Sequence, residues 1–153
     1  MEDLQHRVKE SAEIEFLMSN LYSLVAEKVD EHKPFWQELA EEEHNHGKLL
    51  MTILKSLGYV GCLPEKLAGS EDCEIDKAKK LIHQKMDEIS NAPSLGCKDA
   101  CDIALNLEKV LPEIQFQQFM EADDYNEIGE LIRAMNEDEY NHLRRIKHLY
   151  NNL

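Results

Sequence analysis

The chain has 153 residues, 42% hydrophobic and 31% charged, which is one domain's worth of sequence with enough apolar material for a real core. Its formal net charge of −14 repels phosphate backbones and anionic lipid, and no basic stripe interrupts it, so neither nucleic acid nor a membrane surface is expected as a partner. No apolar run reaches the length of a membrane span and "MEDLQHRVKE" does not read as a leader, so a single cytoplasmic domain over residues 1–153 is expected.

Apolar residues at helical spacing run from about Leu4 to Val29. "DEHKP" breaks that pattern and places Pro34 in the first turn of a second helix, which runs to about Leu57. "GYVGCLPEKLAGS" reads as a loop, residues 74–90 as a shorter amphipathic helix, and "NAPSLG" as its end. A third long helix should run from near Cys97 to about Met120, with Pro112 kinking it or freeing the carbonyl of Glu108. Asp124 and Glu127 are spaced like a capping box, and the last helix runs from there to about Tyr150. No alternating strand pattern appears, so the fold class is all-α.

The informative feature is what interrupts the apolar stripes. Glu15 sits in the first, among Leu4, Val8, Ser11, Met18, Tyr22, Val25 and Val29. In the second helix Glu43 and His46 lie among Trp36, Leu39, Leu50, Ile53 and Leu57; in the last, Glu139 and His142 lie among Ile128, Ile132, Met135, Ile146 and Leu149. Glu108 falls in the third, with Cys97, Cys101, Ala104, Leu111 and Gln115. Glu41 and His44 also have Glu-x-x-His spacing but face the polar side of their helix, and are read as solvated. Burying several like charges costs several kcal/mol per ion unless something cationic neutralises them.

Depth along the helices agrees. Counted from Pro34 and Cys97, Glu43 and Glu108 lie nine and eleven residues in; counted from Glu2 and Asp124, Glu15 and Glu139 lie thirteen and fifteen in. Those depths match if the second and third long helices run parallel, and residues 58–96 with their short helix are long enough for the return. Four carboxylates and two imidazoles suit iron or manganese, and four negative charges balance two divalent ions. Glu and His three apart on a helix can reach the same ion or adjacent ones.

These residues resemble the ferritin-like di-iron carboxylate proteins, a family whose helix pattern is a standard example of a metal site in a bundle. Glu15 with Tyr22 resembles the first-helix pair of bacterioferritins and rubrerythrins; "EEEHNHGKLL", "ALNLEKVL" and "EDEYNH" resemble the second, third and fourth ligand segments. The resemblance implies a four-helix bundle with a long crossover between the second and third long helices that carries the short extra helix. It implies two iron ions, or manganese, with Glu43 and Glu139 bridging, Glu15 and Glu108 terminal, and one ion each on His46 and His142. The half-sites, Glu15 with Glu43 and His46, and Glu108 with Glu139 and His142, suggest an internal duplication.

The activity implied is rubrerythrin-like reduction of hydrogen peroxide or dioxygen, with Tyr22 holding a ligand Glu or relaying an electron. Electrons come from a separate donor protein or from ferrous iron, because Cys62, Cys73, Cys97 and Cys101 contain no C-x-x-C pair and cannot build a rubredoxin-like domain. Leu105 and Leu111 flank Glu108 where rubrerythrins carry an additional Glu. A homodimer is expected. The alternatives are ferritin-type iron oxidation and storage, and a redox-silent helical interaction module stabilised by metal. His6, His32, His83 and His148 fall on polar faces or near ends and receive no role.

Overall fold

The computed structural model describes residues 2–57, 72–115 and 127–153. They form five helices, α1 Glu2–Lys28, α2 Lys33–Leu57, α3 Asp72–Asn91, α4 Cys97–Gln115 and α5 Glu127–Asn151, with no strand among the described residues. All-α is therefore correct, and the helix ends fall within about two residues of those expected wherever they are described. The expected loop after Leu57, the third long helix's end at Met120 and the Asp124 cap lie outside the described residues. Pro112 does not end α4, which continues to Gln115. No described helix is long and apolar enough to cross a membrane.

Local chemistry explains the turns. Pro34, with no N–H to lose, occupies the first turn of α2, where that donor has no intrahelical partner. His32 before it adopts φ 60°, the left-handed region, and its carbonyl accepts from Phe35 N–H at 3.1 Å. Lys28 at the end of α1 donates its Nζ to the carbonyls of Ser90 and Ala92 at 3.2 and 2.9 Å, satisfying orphan acceptors at the end of α3. Lys79 of α3 bridges Glu10 and Glu13 of α1, the latter at 2.7 Å.

Helix α1 packs mainly on α2 and also on α3, while α4 packs on α5. The buried apolar residues divide into two clusters. The larger includes Ile14, Met18, Tyr22, Trp36, Leu39, Ile82, Leu107 and Ile146; the smaller is Val8, Ala12, Leu50, Ile53 and Met135. Glu15, Glu43 and Glu139 each fall in sequence between a residue of one cluster and a residue of the other, so a polar layer separates the two. Ser19 Oγ donates to the Ala40 carbonyl at 2.7 Å beside that layer, tying α1 to α2.

Gly47, directly after His46, is what lets α1 and α2 close there. A Cβ at this position would sit 2.7–2.9 Å from three ring carbons of Phe16. Gly47→Ala is expected to destabilise the fold by about 1 kcal/mol, because displacing the ring outweighs the roughly 1 kcal/mol by which Ala favours a helix over Gly. Urea denaturation of the two proteins checks this, and a stabilised variant would show that the ring yields freely.

Candidate metal centre

Side chains from four helices meet in the polar layer. Glu15 of α1, Glu43 and His46 of α2, Glu108 of α4, and Glu139 and His142 of α5 are all buried. They form two overlapping groups that could hold a metal ion: Glu15, Glu43, His46 and Glu139, and Glu43, Glu108, Glu139 and His142, each with its ligand atoms within 4.8 Å of one another. All six metal-ligand candidates read from the sequence are thus brought together, and Glu43 and Glu139 are the two shared between groups.

The imidazoles are oriented alike. His46 Nδ1 lies 3.3 Å from Glu43, 3.2 Å from Glu139 and 3.9 Å from Glu15. His142 Nδ1 lies 3.1 Å from Glu43 and 4.0 Å from Glu108. The rings are nearly parallel, at 25°, with centroids 5.6 Å apart. Each Nε2 points outward to an acid of the opposite helix: His46 to Asp138 at 3.3 Å and His142 to Glu42 at 2.6 Å. Glu42 is in turn held by Arg145 Nη1 at 2.9 and 3.0 Å. Protonated, each ring donates Nδ1–H to these carboxylates; with Nε2–H held by the outer acid, loss of that proton leaves the Nδ1 lone pair facing inward, where a metal ion could take it.

Glu42, Asp138 and Arg145 were not among the residues picked out from the sequence. The available signal was an acid directly before each motif Glu, in "EEEHNH" and "EDEYNH". Glu41 and His44 are exposed, as read, and His44 packs against Phe16 with centroids 5.3 Å apart. His6, His32, His83 and His148 are also exposed.

Tyr22 is fully buried and donates its hydroxyl to Glu108 Oε1. Burial first, and the Glu108 charge second, push the phenol well above its ordinary range, so it remains a donor. Glu108 Oε2 is buried with no hydrogen-bond partner. An orphaned carboxylate oxygen inside a cluster of oxygen and nitrogen donors is the atom that a divalent cation satisfies, so the residues present fit a metal. Cys101 is buried and its thiol is pushed up to about 12 by burial and by Cys97, so it acts as a small hydrophobe.

Electrostatics divide the six groups. Burial, then the charges of Glu139 and Glu43, raise Glu15 and Glu108 well above the carboxylate range. Burial also raises Glu139. Burial would raise Glu43 too, but hydrogen bonds from His142 and His46 outweigh it and hold that carboxylate well below the usual range. Burial opposes charge on His46, yet its contacts with Glu139 and Glu43 lift it to about 10, and contacts with Glu43 raise His142 in the same way.

Protons and metal ions compete for these lone pairs. A histidine raised to about 10 holds its proton at neutral pH, so metal uptake must displace it and apparent affinity should increase with pH up to that value. Because Glu15, Glu108, Glu139 and both imidazoles are shifted toward their protonated forms, loading with divalent ions should release protons, that of His46 among them. A pH-stat titration with ferrous iron or cobalt under argon measures this; uptake without proton release would show that the ions bind elsewhere.

No family model, curated protein or solved structure matches the chain, so the case for its chemistry rests on these side chains and their surroundings.

Proposed function

We propose that the chain is a single ferritin-like domain, a four-helix bundle of α1, α2, α4 and α5 with α3 carried on the α2–α4 crossover, and that it is a di-iron oxidoreductase acting on hydrogen peroxide or dioxygen. The observation that carries this reading is the pair of overlapping four-residue groups that share Glu43 and Glu139. Such sharing is the arrangement for two ions bridged by two carboxylates, with Glu15 and His46 completing one and Glu108 and His142 the other. Carboxylate-rich sites with one imidazole per ion favour iron or manganese, whereas the described cysteines stand apart from this donor set.

Bound there, a pair of ferrous ions supplies the two electrons that, with two protons, take hydrogen peroxide to two waters or dioxygen to hydrogen peroxide. The protein's part is geometry, charge and dryness. Four carboxylates offset two dications, so the buried layer is neutral when loaded. Tyr22 fixes Glu108 through Oε1 and leaves Oε2 turned to its metal position, while its own proton stays at Oη, hydrogen-bonded and within reach of the site. Asp138 and Glu42 hold the two imidazoles in their working tautomers. The larger apolar cluster, with Met18, Ile14 and Leu107 fully buried, supplies a dry surrounding on its side of the layer. Reducing equivalents arrive from a separate donor protein or as further ferrous iron.

Anaerobic reconstitution with ferrous iron should give two ions per chain, and peroxide should oxidise them within the mixing time of a stopped-flow experiment. Glu43→Ala or Glu139→Ala should lose both ions, and Glu15→Ala or Glu108→Ala one each. Accumulation of many irons per chain in a large assembly would instead support storage, and a chain that takes up neither iron nor manganese would remove the reading altogether. Because bound metal stabilises only the folded state, loading should also raise the melting temperature, by an amount set by the ratio of free metal to Kd.

A further inference from the structure

The two halves of the site share a ligand plan but not a surrounding. Aligned on their motifs, residues 41–48 of α2 and 137–144 of α5 read "EEEHNHGK" and "EDEYNHLR", with Glu42 matching Asp138 and His46 matching His142. The stretches differ at His44 against Tyr140 and Gly47 against Leu143, and charge is unmatched one residue beyond them, where α5 has Arg145 and α2 has Leu49. Arg145 grips Glu42, pairs with Glu38 at 3.0 Å and lies over the Phe35 ring at 5.6 Å. His142 behind it is 0% exposed. At the other half Asp138 is 62% exposed and His46 is 7% exposed. Helices α2 and α5 also approach each other more sparsely than α1 and α2 do.

From this asymmetry, and resting on the metal-binding reading above, we infer that the centre has a single port: ions enter and leave through the Glu15–His46 half, past Asp138, and the ion held by Glu108 and His142 is reached only through that half. A hydrated dication sheds its water only where ligands replace it one by one, since an uncompensated ion in an apolar layer is prohibitively unfavourable. On the Asp138 side the replacements are continuous: an exposed carboxylate, then the edge of His46, then Glu15, Glu43 and Glu139. On the Arg145 side a guanidinium sits between the exposed Glu38 and the part-buried Glu42 and pairs with both, so it offsets the negative charge with which those acids would receive a cation and immobilises Glu42 against His142. The inner half, with His142 held by Glu42 and Glu108 by Tyr22, has its donors fixed by neighbouring side chains and fills first. Ions therefore leave in the reverse order of entry.

The test loads the metal-free chain under argon with one equivalent of a heavy iron isotope as Fe(II), then one equivalent of natural-abundance Fe(II), and follows chelator removal by isotope-resolved mass spectrometry. The expected result is two phases, the fast one carrying mostly the iron added last. Asp138→Asn should slow uptake of both ions about tenfold, and should weaken the dependence of the uptake rate on ionic strength, because an electrostatic receiver has been removed. A merely structural role for Asp138 would change affinity and leave that salt dependence intact. Arg145→Met should open the second side and erase the order of release. Two ions that bind but leave with scrambled isotopes, or an Asp138→Asn protein with unchanged uptake, would overturn the port while leaving the metal centre standing. Failure to bind any iron would overturn both.

Discussion

Everything in this molecule is arranged around the burial of four carboxylates in one layer. Left as four anions in a dry interior, Glu15, Glu43, Glu108 and Glu139 would cost several kcal/mol each, comparable in sum to the whole stability of a domain this size. The protein meets that cost in two interchangeable ways. Burial shifts Glu15, Glu108 and Glu139 toward their protonated forms, while hydrogen bonds from the two imidazoles hold Glu43 toward its anion. Under the proposed function, two dications would do the same job with the carboxylates all ionised. Either way no set of like charges is left buried, so the packed clusters on either side have no electrostatic reason to move.

The packing accepts this layer because it is thin. Glu15 is flanked by Ala12 and Met18, and Glu43 by Ala40 and Leu50, so each charge sits within about a turn of an apolar neighbour on its own helix. The two clusters therefore grip the same helices from both sides. Gly47 adds to this by letting Phe16 of α1 lie against the α2 backbone next to His46, so the ligand helix is positioned by direct contact rather than by a long side chain.

Much of this was legible in the sequence, and what was not has a physical reason. Residues that break an apolar stripe at the same depth on four helices declare themselves, because burial of a charge is expensive and has to be explained; hence Glu15, Glu43, Glu108, Glu139 and both histidines were found. Helix ends were readable where Pro34 or the "NAPSLG" stretch supplied punctuation. Glu42, Asp138 and Arg145 were not found, because they are acids and a base on partly exposed helix faces, where charge carries no penalty and hence no signal. Pro112 was read as lying inside the third long helix, and α4 does run on past it to Gln115.

The outer acids follow from helix geometry once the site is known. At about 100° per residue, the residue before a motif Glu and the His three after it are four apart and only about 40° apart around the helix, so both face the same neighbour. Within one helix, Glu42 and His46 could pair with each other. Instead the two helices exchange partners, Glu42 to His142 and Asp138 to His46. The exchange ties together α2 and α5, two helices that otherwise pack sparsely on each other, and it makes the orientation of each imidazole depend on the other helix being in place. A repeated motif thus does more than gather two sets of acids and imidazoles: each copy orients the histidine of the other, and Arg145, opposite Leu49 in the alignment, braces only one of the two pairs.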